Sequence, residues 1–217
     1  MISVSTTGIP GCEFEACHLT NLDSVADAIV ARLAPLRYAI AASEAQREDV
    51  FRLRYRAVID RGWACSDDLP DGMERDDDDD RAVLIGAWVG TKPVAAARMI
   101  FPAPSQPLPV EVTFGIDIEP RGQVVQVDRI TVDRAYRSRN SRLLLGLIAR
   151  CWLEMRQRGF HVWTGTDSPG MLRLYRRLGF DMTVLGPARR YWGEDRFPVR
   201  FDPATVADLS NRLGDRT

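Results

Sequence analysis

Three stretches of this 217-residue chain predict a mixed α/β domain, one sheet with helices on both faces. Val124 to Val132 is rich in Val, Ile and Thr and holds no Gly or Pro, the composition of a buried strand. Ser141 to about Arg158 is apolar nearly all round, through Leu143, Leu144, Leu145, Leu147, Ile148 and Cys151, which predicts a buried helix ended by Gly159. Arg81 to Val89 and Val94 to Phe101 read as strands on either side of a turn at Gly90 to Pro93. The length suits one domain at residues 37–201, with an N-terminal extension over 1–36 and a C-terminal helix or tail over 202–217.

The remaining elements follow in chain order. Residues 1–21 carry Gly, Pro, Thr and Cys without a usable period and are expected to be irregular. Asn21 or Asp23 then caps a short helix with Val25, Ala28, Ile29, Ala31 and Leu33 at helical spacing, stopping before Pro35. Arg37 to Ala41 alternates as a first strand. Ser43-Glu44-Ala45-Gln46 is a capping-box start for a helix that places Val50, Leu53, Ala57 and Val58 on one face and ends near Ile59, before Gly62. Cys65 to Asp80 is a loop, with Pro70, Gly72 and a run of aspartates. Pro102 to Pro109 and Gly115 to Gly122 are crossings without a period. Phe160 to Thr166 is a strand, and Asp167-Ser168-Pro169 opens a helix that Gly179 terminates. Met182 to Leu185 and Arg196 to Phe201 supply a last pair of strands, and Thr205 to Leu213 a C-terminal helix.

Composition excludes several classes. No apolar run approaches the ~18–20 residues of a membrane helix, and the N-terminus lacks a basic start with an apolar stretch, so a soluble cytoplasmic protein with no membrane span is expected. The four cysteines have no metal-ligand spacing; Cys12 and Cys17 are near enough to bridge, but free thiols are the simpler reading, and no metal site is expected. The arginines lack interleaved aromatics, which argues against nucleic acid.

The chemistry gathers on the central strand. Gln126, Asp128 and Arg129 are costly in a buried strand unless each is paired or reactive, and Gln126 and Asp128, two apart, share one face. The strand runs into Arg134, Arg137, Arg139 and Arg142 and straight into a helix N-terminus, a combination suited to an anionic, phosphate-bearing ligand. Acid is concentrated at Asp76 to Asp80.

This element order, with Asp133-Arg134-Ala135-Tyr136-Arg137-Ser138-Arg139 after the central strand and Leu174-Tyr175-Arg176-Arg177-Leu178-Gly179-Phe180 later, resembles the GNAT acyltransferase superfamily. Arg54, Trp63, the run Asp71-Gly72-Met73-Glu74-Arg75-Asp76 with Asp79, then Arg98, and Gln126 to Arg129 look like the ordered motifs of acyl-homoserine-lactone (autoinducer) synthases, a match over roughly residues 37–132. The tail, Gly186-Pro187 with Tyr191-Trp192-Gly193 and Pro198, is similar to long-chain N-acyl amino acid synthases.

The resemblance implies a GNAT-like, mostly antiparallel central sheet. It implies an enzyme that moves a fatty acyl group from an acyl-carrier-protein or CoA thioester, a co-substrate rather than a bound cofactor, to a small amine. An amino acid is the leading acceptor and S-adenosylmethionine the second; an acetyl-CoA-dependent N-acetyltransferase and a non-catalytic acyl or carrier-protein scaffold remain as alternatives. Arg54, Trp63, Asp76, Asp79, Arg98 and Arg129 would shape the acceptor pocket, the arginines pairing with Asp76 and Asp79. Apolar residues of the buried helix and last strands would line the acyl tunnel, and free N–H groups of the central strand would polarise the thioester carbonyl.

Three departures bear on catalysis. The family's Glu is Gln126, so Asp128 is the candidate general base, with a salt bridge as its alternative; a buried Asp with a raised pKa suits that role, and Gln126 can hold a water or the amine. The family's Phe after Arg54 is Val58, with the spacing to Trp63 one residue short. The glycines that cradle CoA pyrophosphate are replaced at Asn140 and Arg142, so Arg137, Arg139 and Arg142 are expected to meet an acidic carrier protein and its phosphopantetheine phosphate. Tyr175 stands where GNAT enzymes keep a tyrosine that protonates the leaving thiolate; a packed aromatic is the alternative.

Overall fold

The computed structural model describes residues 10–203, with side chains over 17–137 and 141–203. The helices are α1 (Pro10–Arg32), α2 (Glu44–Asp60), α3 (Pro109–Phe114), α4 (Asn140–Gln157) and α5 (Pro169–Leu178). The strands are β1 (Arg37–Ile40), β2 (Val83–Val89), β3 (Lys92–Ile100), β4 (Val124–Val132), β5 (Val162–Asp167), β6 (Thr183–Val184), β7 (Arg189–Tyr191) and β8 (Glu194–Phe201). They form one mixed sheet in the order β1-β2-β3-β4-β5-β8-β6, with β7 hairpinned onto β8. Among the described residues only β4 and β5 run parallel; every other pair is antiparallel.

Local signals account for most of these elements. Ser43 caps α2 by accepting from Gln46 N, and Gln46 returns the bond to the Ser43 amide, closing the capping box. Ser168 caps α5 and Gly179 ends it at φ 95, a conformation that favours Gly.

One expectation fails, and two short elements lie in stretches left unassigned. Residues 10–21 are helical, not irregular: α1 starts at Pro10, which the first turn tolerates, and Asn21 and Asp23 lie inside it rather than capping it. Among its described side chains Leu19, Leu22, Ala26 and Ile29 are buried, spaced at helical intervals that begin before Asn21. Between the two crossings, Pro102 to Pro109 and Gly115 to Gly122, lies α3, too short for a period to register; its Glu111 accepts from Leu108 N at 2.7 Å and Ile118 N at 2.9 Å and so gathers both ends of the helix. β7 is a further strand, and its three residues are too few to show an alternation. The expected C-terminal helix over 205–213 lies outside the described residues.

Strand alternation sorts the core into two faces. Ile85, Ala97, Met99, Val125 and Trp163 point to α4, against Leu143 and Leu147, and α1 covers α4 from outside. Leu84, Ala96, Ile100 and Val124 point the other way, to Val50 and Leu53 of α2. Arg98 sits between Ala96 and Ile100, and Gln126 and Asp128 follow Val124, so all three side chains belong to the α2 face.

The sheet narrows at its middle. β4 and β5 share only the pairs Val124↔Val162, Val125↔Trp163 and Gln126↔Thr164. At the end of this ladder the Val127 carbonyl comes so close to Gly165 that a Cβ there would lie 2.5 Å from its oxygen. Beyond that point the two strands part.

Candidate active site

On the α2 face, three guanidiniums interlock with four carboxylates. Arg54, 1% exposed, points from α2 into the sheet and forks Asp79 through Nη1 at 2.7 Å and Nη2 at 3.0 Å, while its Nε bonds Glu74. Arg98 forks Asp128 with Nε at 2.8 Å and Nη2 at 2.9 Å; its Nη1 reaches Asp76 at 2.5 Å and lies 3.5 Å from Asp79. Arg129 closes the ring through Nη2 to Asp76 at 2.5 Å and Nη1 to Glu74 at 3.5 Å. Asp76 and Asp79 are set for these contacts by a 3₁₀ turn over Asp77–Arg81 that Asp76 caps, with Asp79 accepting from the Asp76 amide at 2.9 Å. The structure thus brings Arg54, Asp76, Asp79, Arg98, Asp128 and Arg129 into one cluster and adds Glu74, which lies inside the Asp-Gly-Met-Glu motif. Asp77, Asp78 and Asp80 stay outside it.

With four acids against three bases the cluster is net negative, and Asp76 is its open edge, with 35% of its side chain exposed. Burial works against the Asp76 carboxylate, but the charges of Arg98 and Arg129 outweigh it and hold its pKa below the ordinary value. Burial likewise opposes the Arg54 cation, and Glu74 and Asp79 more than compensate.

Arg129 reaches this face through a backbone irregularity. Alternation from Asp128 would send it to the α4 side. The β3–β4 register breaks between Asp128↔Arg98 and Thr131↔Ala96, leaving two β4 residues opposite one of β3. Arg129 takes φ 51 in this bulge, rare for a side-chain-bearing residue, and its guanidinium stacks 4.0 Å from the Trp192 ring centroid. Its Nε is buried without a hydrogen-bond partner.

Gln126 is tied on both sides of its amide. Its Oε1 accepts from Val110 N in α3 at 2.9 Å, and its Nε2 donates to Asp128 Oδ2 at 2.7 Å. It anchors α3 and buttresses Asp128. The expected raised pKa at Asp128 does not appear either. Burial pushes it up, but hydrogen bonds from Arg98, the charges of Arg98 and Arg129, and the Gln126 amide hold it below the ordinary carboxylate value. A carboxylate so stabilised orients a cation better than it removes a proton.

Trp63 is half-buried between two arginines. Arg61 and Arg196 lie over its ring at 4.5 and 5.1 Å from the centroid, and its edge abuts Gly193, where a Cβ would lie 2.2 Å from Cδ1. Trp192 and Gly193, at φ 51 and 70, make the β7–β8 turn, so the Tyr191-Trp192-Gly193 segment roofs the charged cluster.

The opposite face carries different chemistry. Tyr175 of α5 is buried at the edge of Phe180, their centroids 6.2 Å apart, and burial with the nearby Asp167 and Cys151 raises its pKa well above 10. Asp167, the last residue of β5 beyond the parting of the strands, showed in the sequence only as a helix start. Burial raises its pKa to about 7, with Arg196 opposing. Of the arginine turn, Arg137 faces Asp60 at 3.5 Å and Arg142 is exposed in the first turn of α4, while the Arg139 side chain lies outside those described. The turn itself is 3₁₀ helix over Arg134–Arg139.

The model of the family "N-acyl amino acid synthase FeeM" matches residues 49–199. No curated protein sequence matches the chain. Among solved structures, TofI, determined with an inhibitor and MTA, superposes with a TM-score of 0.64 at 21% identity, over 80% of this chain and 96% of its own. FeeM, an N-acyl amino acid synthase from uncultured soil microbes, gives 0.62 at 14% identity, over 81% and 97%. The CoA-dependent acyl-homoserine lactone synthase BjaI, determined with SAM and isopentyl-CoA, gives 0.61 at 24% identity, over 83% and 88%. These likenesses fix the GNAT-like acyltransferase fold around the cluster, and, with the family match spanning from α2 to β8, the chain belongs to the N-acyl amino acid synthase family of FeeM and is an acyltransferase.

Proposed function

We propose that the protein transfers a fatty acyl group from the thioester of an acyl carrier protein, or of CoA, to the amine of an α-amino acid. The observation that carries the acceptor is the pairing at the open edge of the cluster. The half-open Asp76 carboxylate offers a seat for an ammonium, and the unpartnered Arg129 Nε offers one for a carboxylate. A zwitterion bridging the two satisfies a buried donor that is costly to leave bare.

The thioester carbonyl lies in the gap where β4 and β5 part, its oxygen toward N–H groups of β4 beyond Gln126 that have no β5 partner in the ladder. The ammonium gives one proton to solvent and the free amine attacks the carbonyl carbon; the carbon–sulfur bond breaks, the nitrogen releases its second proton to solvent as the amide forms, and the thiolate takes a proton on the Tyr175 side of the sheet. With the Tyr175 phenol well above 10, Asp167 near 7 is the better-matched proton source beside it. Asp128 orients the ammonium through Arg98 and Asp76.

S-adenosylmethionine is itself an α-amino acid and is the second reading, favoured by the order of Asp and Arg motifs shared with autoinducer synthases. Mass spectrometry of lipid extracts from a bacterial host expressing the protein in its cytoplasm, against an empty vector, separates the two. New N-acyl amino acids support the leading reading; acyl-homoserine lactones move the acceptor to S-adenosylmethionine. An unchanged extract overturns both.

A further inference from the structure

Between α1, α4 and the β5–β8 end of the sheet lies a recess of about 380 Å³, its open mouth included, and all eleven of its lining residues are apolar. Within it about 40 Å³ is open to the centre of a water molecule, more than the ~10–15 Å³ that one water needs, yet its walls offer a water almost nothing to bond. Tight packing normally closes such a space, and an apolar one that persists is dry and takes apolar guests. Its walls are braced against collapse: Trp163 stacks on Phe201 at 4.3 Å, and Phe180 meets Phe201 edge-on at 5.6 Å. Phe180 also touches Tyr175, so one ring joins the recess to the buried phenol at the divergence of β4 and β5.

The outer wall is α1, through residues that include Ala26 and Ile29. This helix precedes the segment that matches the family model. It is latched to α4 by Asp23, which accepts from Trp152 Nε1 at 2.7 Å and from Arg156 Nε at 3.1 Å. The wall therefore lies N-terminal to the matched segment.

We propose that α1 is the end wall of the fatty acyl-chain site, and that Ala26 and Ile29 set the length of chain accepted. The inference rests on the acyltransfer reading for the reaction, though not for the recess. A saturated alkyl tail whose carbonyl sits in the β4–β5 gap runs past Phe180 and stops against the small Ala26 and the branched Ile29. Each methylene buried there changes relative use of neighbouring chain lengths by about fourfold.

Two readouts test it. In lipid extracts, Ala26→Phe shifts the products toward acyl chains several carbons shorter, and Ile29→Ala shifts them toward longer ones. With purified protein, dodecanoic acid raises the melting temperature of the wild type and of Ile29→Ala but not of Ala26→Phe. If Ala26→Phe fails to fold, Ile29→Ala carries both readouts alone. Should no N-acyl product form at all, the dodecanoic acid measurement still decides the recess. Unchanged chain lengths with product formed, or no stabilisation of the wild type by dodecanoic acid, overturns the proposal.

Discussion

Arg98 and Asp128 face one another as a register pair of β3 and β4, and the guanidinium forks the carboxylate with bonds of 2.8 and 2.9 Å. Arg98 is 1% exposed, so this is a buried pair whose separation strands a charge. Asp128→Asn is expected to cost about 3 kcal/mol in urea unfolding at pH 7, within the range for breaking buried pairs. The folded pKa of Asp128 lies below its unfolded value, so the ion pair contributes above the unfolded pKa and is lost as pH falls through the folded one. The gap between wild type and variant therefore narrows below about pH 4. A constant gap from pH 7 to pH 3 would contradict the assigned charge state.

Arg129→Met keeps an apolar stem against Trp192 and removes the unpartnered Nε. Steady-state kinetics with saturating thioester should show KM for the amino acid rising ~10–100-fold, the worth of a charge-assisted hydrogen bond. A variant whose KM for the amino acid is unaltered would take Arg129 out of carboxylate recognition.

Asp167 carries a stability cost that depends on pH. Its carboxyl stays protonated in the fold up to about 7, whereas the same group has an ordinary value of 3.8. The folded state thus binds more protons than the unfolded state between these values, and stability falls as pH rises across that window. Asp167→Asn should match the wild type near pH 4 and exceed it at pH 8 by up to about 4 kcal/mol. Melting temperatures at both pH values are the measurement; an advantage at pH 4 that disappears at pH 8 reverses the sign and refutes the assignment.

Gly193→Ala meets two obstacles, a backbone at φ 70 and the Trp63 edge at 2.2 Å from the new methyl. Gly72, at φ 68 with nothing within 4 Å of where a methyl would stand, isolates the first. Gly72→Ala is expected to cost about 1 kcal/mol, and Gly193→Ala about 2–4 kcal/mol with a shift in tryptophan emission as Trp63 is pushed from between Arg61 and Arg196. Equal costs would mean that the ring moves aside freely.

What the sequence revealed, and what it hid, divides by the range of the signal. Capping residues, glycine stops and strand composition are local, and they located α2, α4, α5 and the β2–β3 hairpin. The polar residues of the site were readable because Arg98, Gln126 and Asp128 each interrupt an apolar strand and Arg54, Asp76 and Asp79 stand in an ordered motif. Their mutual arrangement was not. A bulge sets the direction of Arg129, and nothing in Asp128-Arg129-Ile130 announces one. The meaning of Gln126 was equally hidden, since its amide is wanted as a donor to Asp128 by a contact visible only once the strand is folded. A Glu in its place would retain the Val110 bond but set two carboxylates against each other. Asp167 looked like part of a helix cap because its burial is imposed by α5 and β8, one packed over it and the other distant in sequence.

The short β4–β5 ladder gives the molecule the build of a book with a narrow spine. One leaf holds β1 to β4 with α2 and α3; the other holds β5, β8 and β6. Three register pairs bind them, and side chains clasp across: Arg189 to the Thr113 carbonyl at 2.9 Å, Arg200 to the Glu119 carbonyl at 2.5 Å, and Arg129 onto the Trp192 ring at 4.0 Å. Parting the spine breaks few backbone bonds, but it splits the one core that Met99, Val125, Trp163 and Phe201 share under α4. Amide hydrogens at Val125 and Gln126 accordingly owe their slow exchange to both leaves together, and a donor seated in the gap slows them further without altering exchange in β2.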